Sequence, residues 1–98
     1  RAEVDLRERI VRRDDEAFEL TGKEFALLDA FLRNRGEVLS RSRILDRVWD
    51  VSHNPTTNVV DVYVRYLRDK IDGENVAAAD SVIETVRGRG YRLREQEE

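Results

Sequence analysis

Four arginines crowd into TVRGRGYRLR, residues 85–94: Arg87, Arg89, Arg92 and Arg94. A guanidinium keeps its charge at every relevant pH and presents a planar fork of donors. That fork suits phosphate oxygens and the O6/N7 edge of guanine. A second set of such side chains, Arg65, Tyr66 and Arg68, falls in NVVDVYVRYLRDKID, residues 58–72. Other chemistry is sparse. The absence of cysteine excludes a disulfide framework, a thiolate metal site and a cysteine nucleophile. The single histidine, His53, excludes a multi-histidine cluster, and its Asn54-Pro55 neighbours suggest a solvated or capping role. There is no GxSxG, no HExxH and no phosphate-cradling glycine loop after an apolar strand. Asp14-Asp15 reads as turn chemistry rather than a carboxylate site. Neither an enzyme nor a cofactor is expected.

The net charge is −3, from 18 Lys+Arg against 21 Asp+Glu. A total of that sign points away from nucleic acid, since such domains are often basic overall. The distribution points the other way. Residues 81–94 hold four arginines and one acid, Glu84, a local +3, so the remainder carries −6. No apolar run approaches the roughly 18 residues that span a bilayer. No signal-peptide pattern opens the chain, so a soluble cytoplasmic protein is expected. The chain begins at Arg1 without methionine, which suggests a fragment of a larger protein. Its 98 residues suit one domain with a modest core.

The elements that must position these side chains can be read from periodicity. Val4 and Leu6, then Val11, then Phe18 and Leu20 suggest short antiparallel strands, with Asp14-Asp15 turning between the last two. In TGKEFALLDAFLRNRG, Thr21 and Glu24 form a capping-box pattern, and Phe25, Leu28 and Leu32 recur at helical spacing. Gly36 supplies the stop, giving a helix over about 22–34. Ser40 can cap a second helix with Ile44, Leu45, Val48 and Trp49 on its apolar face. Residues 50–57, DVSHNPTT, read as a loop. A third helix spans about 57–71, with Val60, Val64, Leu67 and Ile71 in one stripe and Asp72-Gly73 at its end. ENVAAADS then reads as a linker, and residues 82–94 as a closing hairpin whose reversal Gly88 and Gly90 suit. Strands, three helices and a hairpin make an α+β domain.

At about 100° per residue, Asn58, Val62, Arg65, Tyr66 and Asp69 lie opposite the buried stripe of the third helix, with Asp61 and Arg68 on a flank. This face fits major-groove recognition, with Val62 able to touch a thymine methyl. An ordinary solvated face fits too, with Asp61 placed to pair with Arg65 at i, i+4. The hairpin has the same two readings. An arginine at its tip can enter a minor groove, or its charges can simply protect a strand edge. Together, a recognition helix followed by a basic hairpin is the plan of a winged helix.

ELTGKEFALLDAFLRNRGEVLSRSRILDRVW, NVVDVYVRYLRDKID and IETVRGRGYRL, three blocks at compatible spacing, closely resemble the C-terminal effector domain of OmpR/PhoB-type response regulators. The resemblance implies a winged helix-turn-helix with an N-terminal antiparallel sheet, three helices and a C-terminal β-hairpin wing. It implies sequence-specific binding of promoter duplex DNA by a two-component transcriptional regulator. It puts the recognition helix, about 57–71, in the major groove and the wing, 82–94, at the minor groove. Contact positions then fall on Asn58, Val62, Tyr63, Arg65, Tyr66 and Arg68, and in the wing on Thr85, Arg87 and Arg89. The loop formed by Asp50, Val51, Ser52, His53, Asn54, Pro55, Thr56 and Thr57 corresponds to a loop that faces RNA polymerase. The resemblance further implies a homodimer on direct-repeat DNA. It also implies a phosphorelay receiver domain, preceding these 98 residues, that meets a sensor kinase.

The chain departs from the family at Tyr66 and Asp69, where basic residues are common, and at Tyr63, where histidine is common. Fewer phosphate contacts are therefore expected. Family members begin with a further strand, for which residues 1–3 leave little room. A rival use of the same fold is protein interaction through the helix face or the 50–57 loop.

Overall fold

The computed structural model describes residues 2–49 and 56–94. Short alternating segments form strands β1 (Ala2–Asp5), β2 (Ile10–Arg13) and β3 (Glu16–Glu19), paired antiparallel in that order. Val4 lies opposite Val11, and Val11 opposite Phe18, so one face of the sheet carries the apolar side chains. Among the described residues no strand precedes β1. The Asp14-Asp15 turn lies where expected, with Asp14 at φ +56°, a conformation aspartate tolerates better than most residues. Leu6, expected in a strand, instead sits in the β1–β2 turn and is 50% exposed. The Asp5 carboxylate closes that turn by accepting from the N–H groups of Arg7 and Glu8, both at 3.0 Å. This local polar signal outweighs the apolar side chain beside it.

Helix α1 (Gly22–Arg33) starts with the expected capping box. Glu24 N–H donates to Thr21 Oγ1 at 3.2 Å, and Thr21 N–H donates to Glu24 Oε1 at 2.9 Å. Leu27, Leu28 and Phe31 fill the core. Helix α2 (Arg41–Val48) is capped by Ser40 and stops at Trp49. Helix α3 (Asn58–Ile71) buries Val60, Val64, Leu67 and Ile71, the stripe read from the sequence.

Asp72 does more than end α3. Its carboxylate accepts from the Ser81 hydroxyl and from Val82 N–H, which aims the returning chain. The expected linker contains a 3₁₀ turn at Ala78–Asp80. Strands β4 (Ile83–Val86) and β5 (Gly90–Leu93) then form the hairpin.

Its two glycines serve different ends. Gly88, at φ +74°, lies third in a four-residue turn closed by Arg89 N–H to the Val86 carbonyl at 2.9 Å. That place in a type II turn needs a positive φ. Gly90, expected to help the reversal, is the first residue of β5 and pairs with Val86. A β-carbon there would lie 2.1 Å from the Leu39 carbonyl oxygen. The close approach lets Leu39 and Tyr91 exchange backbone hydrogen bonds of 2.8 and 3.0 Å. Gly90→Ala must therefore displace backbone as well as adopt φ +136°. It is expected to cost about 2–4 kcal/mol, lowering the thermal midpoint by about 10 °C or more. An unchanged midpoint in a calorimetric scan would contradict this role.

Candidate nucleic-acid interface

The outer face of α3 presents Asn58, Val62, Arg65 and Tyr66, all exposed, with Val62 at 41% and Tyr66 at 47%. Arg65 has no ion pair or hydrogen bond among the described residues. The Asn58 side-chain oxygen accepts from the Thr56 hydroxyl ahead of the helix. Tyr63, a contact position by the resemblance, lies nearer the core, as its place on the helical wheel requires. It is half-buried, with its ring edge-on to Trp49 at 5.2 Å and to Tyr66 at 5.4 Å. Edge-to-face aromatic pairs at such distances are favourable, so Tyr63 props Tyr66 rather than joining the outer face.

Arg68, on a flank by spacing and a contact position by the resemblance, turns toward the hairpin. Its Nε donates to the Ile83 carbonyl at 3.1 Å, and its Nη2 donates to the same oxygen and to Thr85 Oγ1, the latter at 2.8 Å. Burial pushes its pKa below the ordinary arginine value, although an arginine remains charged at neutral pH. Thr85 is exposed and shares a hairpin face with Ile83 and Tyr91. Its oxygen serves Arg68, and its own proton can still be donated outward.

At the hairpin tip, Arg87 and Arg89 are exposed and have no acidic partner among the described residues. The other two arginines are consumed. Arg92 clamps Glu84, its cross-strand neighbour, through Nε at 2.9 Å and Nη2 at 2.7 Å. Arg94 donates to the carbonyls of Ser81 and Ala79, each at 2.9 Å. The local charge of the hairpin is thus concentrated at the two tip guanidiniums. The Arg92 hydrogen bonds, with the charges of Arg92 and Arg94, hold the Glu84 carboxyl below its usual range against a smaller opposing effect of burial.

Spacing along α3 offers Asp61 to Arg65, but it takes two other partners. Arg41 Nε donates to its Oδ1 at 2.8 Å, and the Tyr91 hydroxyl donates to the same oxygen. Partial burial raises the Asp61 pKa, but the hydrogen bonds from Tyr91 and Arg41 and the Arg41 charge outweigh it, so the net displacement is downward. Burial first, and then the Asp61 bond, push the Tyr91 hydroxyl upward. This cluster joins α2, α3 and β5, and sequence spacing along one helix does not reveal it. A weak signal exists: Asp61 and Arg68 are seven residues apart, two turns along one flank. Of the expected polymerase-facing loop, Thr56 and Thr57 are exposed just ahead of α3. Asp50, Val51, Ser52, His53, Asn54 and Pro55 lie outside the described residues. Among the described residues, no helix is long and apolar enough to cross a membrane.

An N-terminal antiparallel sheet, three helices and a hairpin seated beside the third helix define a winged helix-turn-helix domain. Residues 15–93 match the family described as "Transcriptional regulatory protein, C terminal". The chain is 46% identical over 91 residues to the transcriptional regulatory protein TcrA of Mycobacterium tuberculosis, covering 93% of this chain and 35% of that protein. It is 49% identical over 90 residues to CusR of Escherichia coli, covering 92% of this chain and 38% of that protein. It therefore spans little more than a third of the length of these relatives. Its fold is similar to that of the DNA-binding domain of Bacillus subtilis CssR. The TM-score is 0.77 at 35% identity, over 95% of this chain and 99% of that one. The chain belongs to this family: it is a winged-helix domain of the OmpR/PhoB type, as the three sequence blocks implied.

The depressed carboxyls set an acid limit. A lowered folded pKa means stability that is present above the unfolded value and lost as pH falls through the folded value. Urea midpoints are expected to fall as pH drops below about 4, where free carboxylates titrate. An Asp61→Asn, Glu84→Gln variant should lose less over that range, while being less stable at neutral pH. An identical pH profile in the variant would contradict the assignment.

Proposed function

We propose that this domain binds promoter duplex DNA in a sequence-specific manner, as the effector part of a two-component transcriptional regulator. Helix α3 enters the major groove, and the hairpin tip meets the adjacent minor groove. The observation that carries this reading is the sorting of the arginines. Arg41, Arg68, Arg92 and Arg94 are spent within the fold. Arg65 on the outer face of α3, and Arg87 and Arg89 at the tip, are exposed without carboxylate partners among the described residues. The Arg68–Thr85 link sets the base of the wing directly against α3, so these free guanidiniums belong to neighbouring elements.

The roles divide by chemistry. Asn58, Val62, Arg65 and Tyr66 face base edges, Arg65 as a bidentate donor to guanine and Val62 against a thymine methyl. Thr85 donates its proton to a phosphate, while Arg87 and Arg89 lie at the minor groove or its phosphates, where crowded backbone charge favours arginine. In the full-length protein, a receiver domain that accepts phosphate from a sensor kinase precedes this domain. Two copies bind direct repeats, and residues 50–57 face RNA polymerase. Relatives with the same domain over a third of their length support this wider assignment.

Selection from a random duplex library is expected to return a defined motif, bound with an affinity that falls steeply as salt rises. Arg65→Ala should cost roughly 1–3 kcal/mol and relax the preference at one base pair. Arg87→Ala should weaken all duplexes alike and flatten the salt slope by about 1. No binding at low salt, or unchanged affinity in the Arg65→Ala, Arg87→Ala double variant, would remove this surface from consideration.

A further inference from the structure

Arg65 and Arg68 lie one helical turn apart, but only Arg65 projects outward. The Arg68 guanidinium crosses from α3 to β4, where the Ile83 carbonyl and the Thr85 hydroxyl accept from it. Its central carbon lies 5.6 Å from the centroid of the Tyr91 ring, on β5. Two turns earlier on α3, Asp61 accepts from the hydroxyl of that same tyrosine. Helix α3 thus grips both strands of the hairpin, at points two turns apart.

We propose that Arg68 is a positioning residue, a strap that fixes the wing against the recognition helix, and not a phosphate contact. The proposal rests on the DNA-binding reading above. Turning Arg68 outward to a phosphate would strip the Ile83 carbonyl and the Thr85 hydroxyl of their donor. A part-buried carbonyl left without its partner loses more than the mean worth of one hydrogen bond. A lysine cannot substitute, because its single ammonium lacks the fork that reaches both acceptors. Through this strap, the position of Arg87 relative to Arg65 is set before DNA arrives.

The test uses this chain and one duplex taken from the random-library selection, titrated at several salt concentrations. Arg68→Gln and Arg68→Lys are each expected to weaken binding about tenfold while leaving the salt slope at the wild-type value, whereas loss of a phosphate contact flattens it by about 1. In an Arg87→Ala background, the same substitutions should cost about twofold or less, because a wing without its tip charge gains little from being held. A flattened slope in Arg68→Gln that Arg68→Lys restores would overturn the proposal. So would equal losses in both backgrounds. Wild-type chain that binds no duplex at low salt would overturn the DNA reading itself, and this proposal with it.

Should the variants fail to fold, arginine Nε–H resonances of the wild-type chain decide the matter. The Arg68 signal is expected to be protected from exchange in the free domain and to stay in place on DNA addition, while the Arg65 and Arg87 signals move. An Arg68 signal that exchanges freely, or shifts with the others, would overturn the strap.

Discussion

The seat of the hairpin depends on one close approach, between the Leu39 carbonyl and the bare α-carbon of Gly90. With no side chain at residue 90, β5 can exchange two hydrogen bonds with the segment ahead of α2. The bonds themselves contribute about 1 kcal/mol each. Their larger effect is to bring Ile83, Tyr91 and Leu93 into the core, where each is less than a tenth exposed. Burying such a side chain contributes about 1.5–3 kcal/mol. The tip pair Arg87 and Arg89 then projects from a base that is part of the hydrophobic core, not from a free arm. The Tyr91 hydroxyl reaches Asp61, and the Ile83 carbonyl lies within reach of Arg68, only because β5 lies this near.

The negative total and the basic interface are compatible because the carboxylates of Glu84 and Asp61, beside the free arginines, have cationic partners. Glu84 is covered by Arg92, with Arg94 nearby, and Asp61 by Arg41. These part-exposed pairs contribute little to stability singly, because water screens them and long side chains must be ordered. What they do is offset two carboxylates, Asp61 and Glu84, beside α3 and the wing. A count over the chain treats Arg92 and Arg87 as equivalent. Geometry separates them, because Arg92 lies across from an acid in the register while Arg87 lies in the turn.

Where one element carries its own signal, the sequence is readable. The capping box of α1, the Ser40 cap, the four-residue stripe of α3 and the Asp14-Asp15 turn each involve residues within a few positions of one another. The readings that needed correction involve contacts between elements. Asp61 and Arg65 are well spaced for an i, i+4 pair, but Arg41 and Tyr91 come from 20 and 30 residues away. Gly90 looked like turn chemistry because its true neighbour, Leu39, lies far off in sequence. Spacing puts Arg68 on a flank of α3, but a helical wheel does not show what packs there. Leu6 failed for the opposite reason: an apolar residue beside a strand yielded to the aspartate turn that precedes it.

The anchors of α3 explain why so few of its polar groups remain for recognition. Near its C-terminal end, Lys70 donates to Glu24, whose side chain is 5% exposed, and to the Glu19 carbonyl at 2.7 Å. Glu24 also caps α1, so one buried carboxylate ties the start of α1 to the end of α3. Near the other end, Asp61 ties α3 to α2 and β5, and between them Arg68 ties it to β4. The Lys70–Glu24 pair, whose carboxylate is buried, adds little net stability against a well-packed apolar alternative, but it is costly to break on one side, so it fixes geometry. Each anchor engages one charged side chain of α3 and removes one freedom from the helix. Asn58, Val62, Arg65 and Tyr66 on the outer face do no such anchoring work and are displayed on an element held near both ends. Recognition to within about half an ångström requires that kind of support from groups that never touch the ligand.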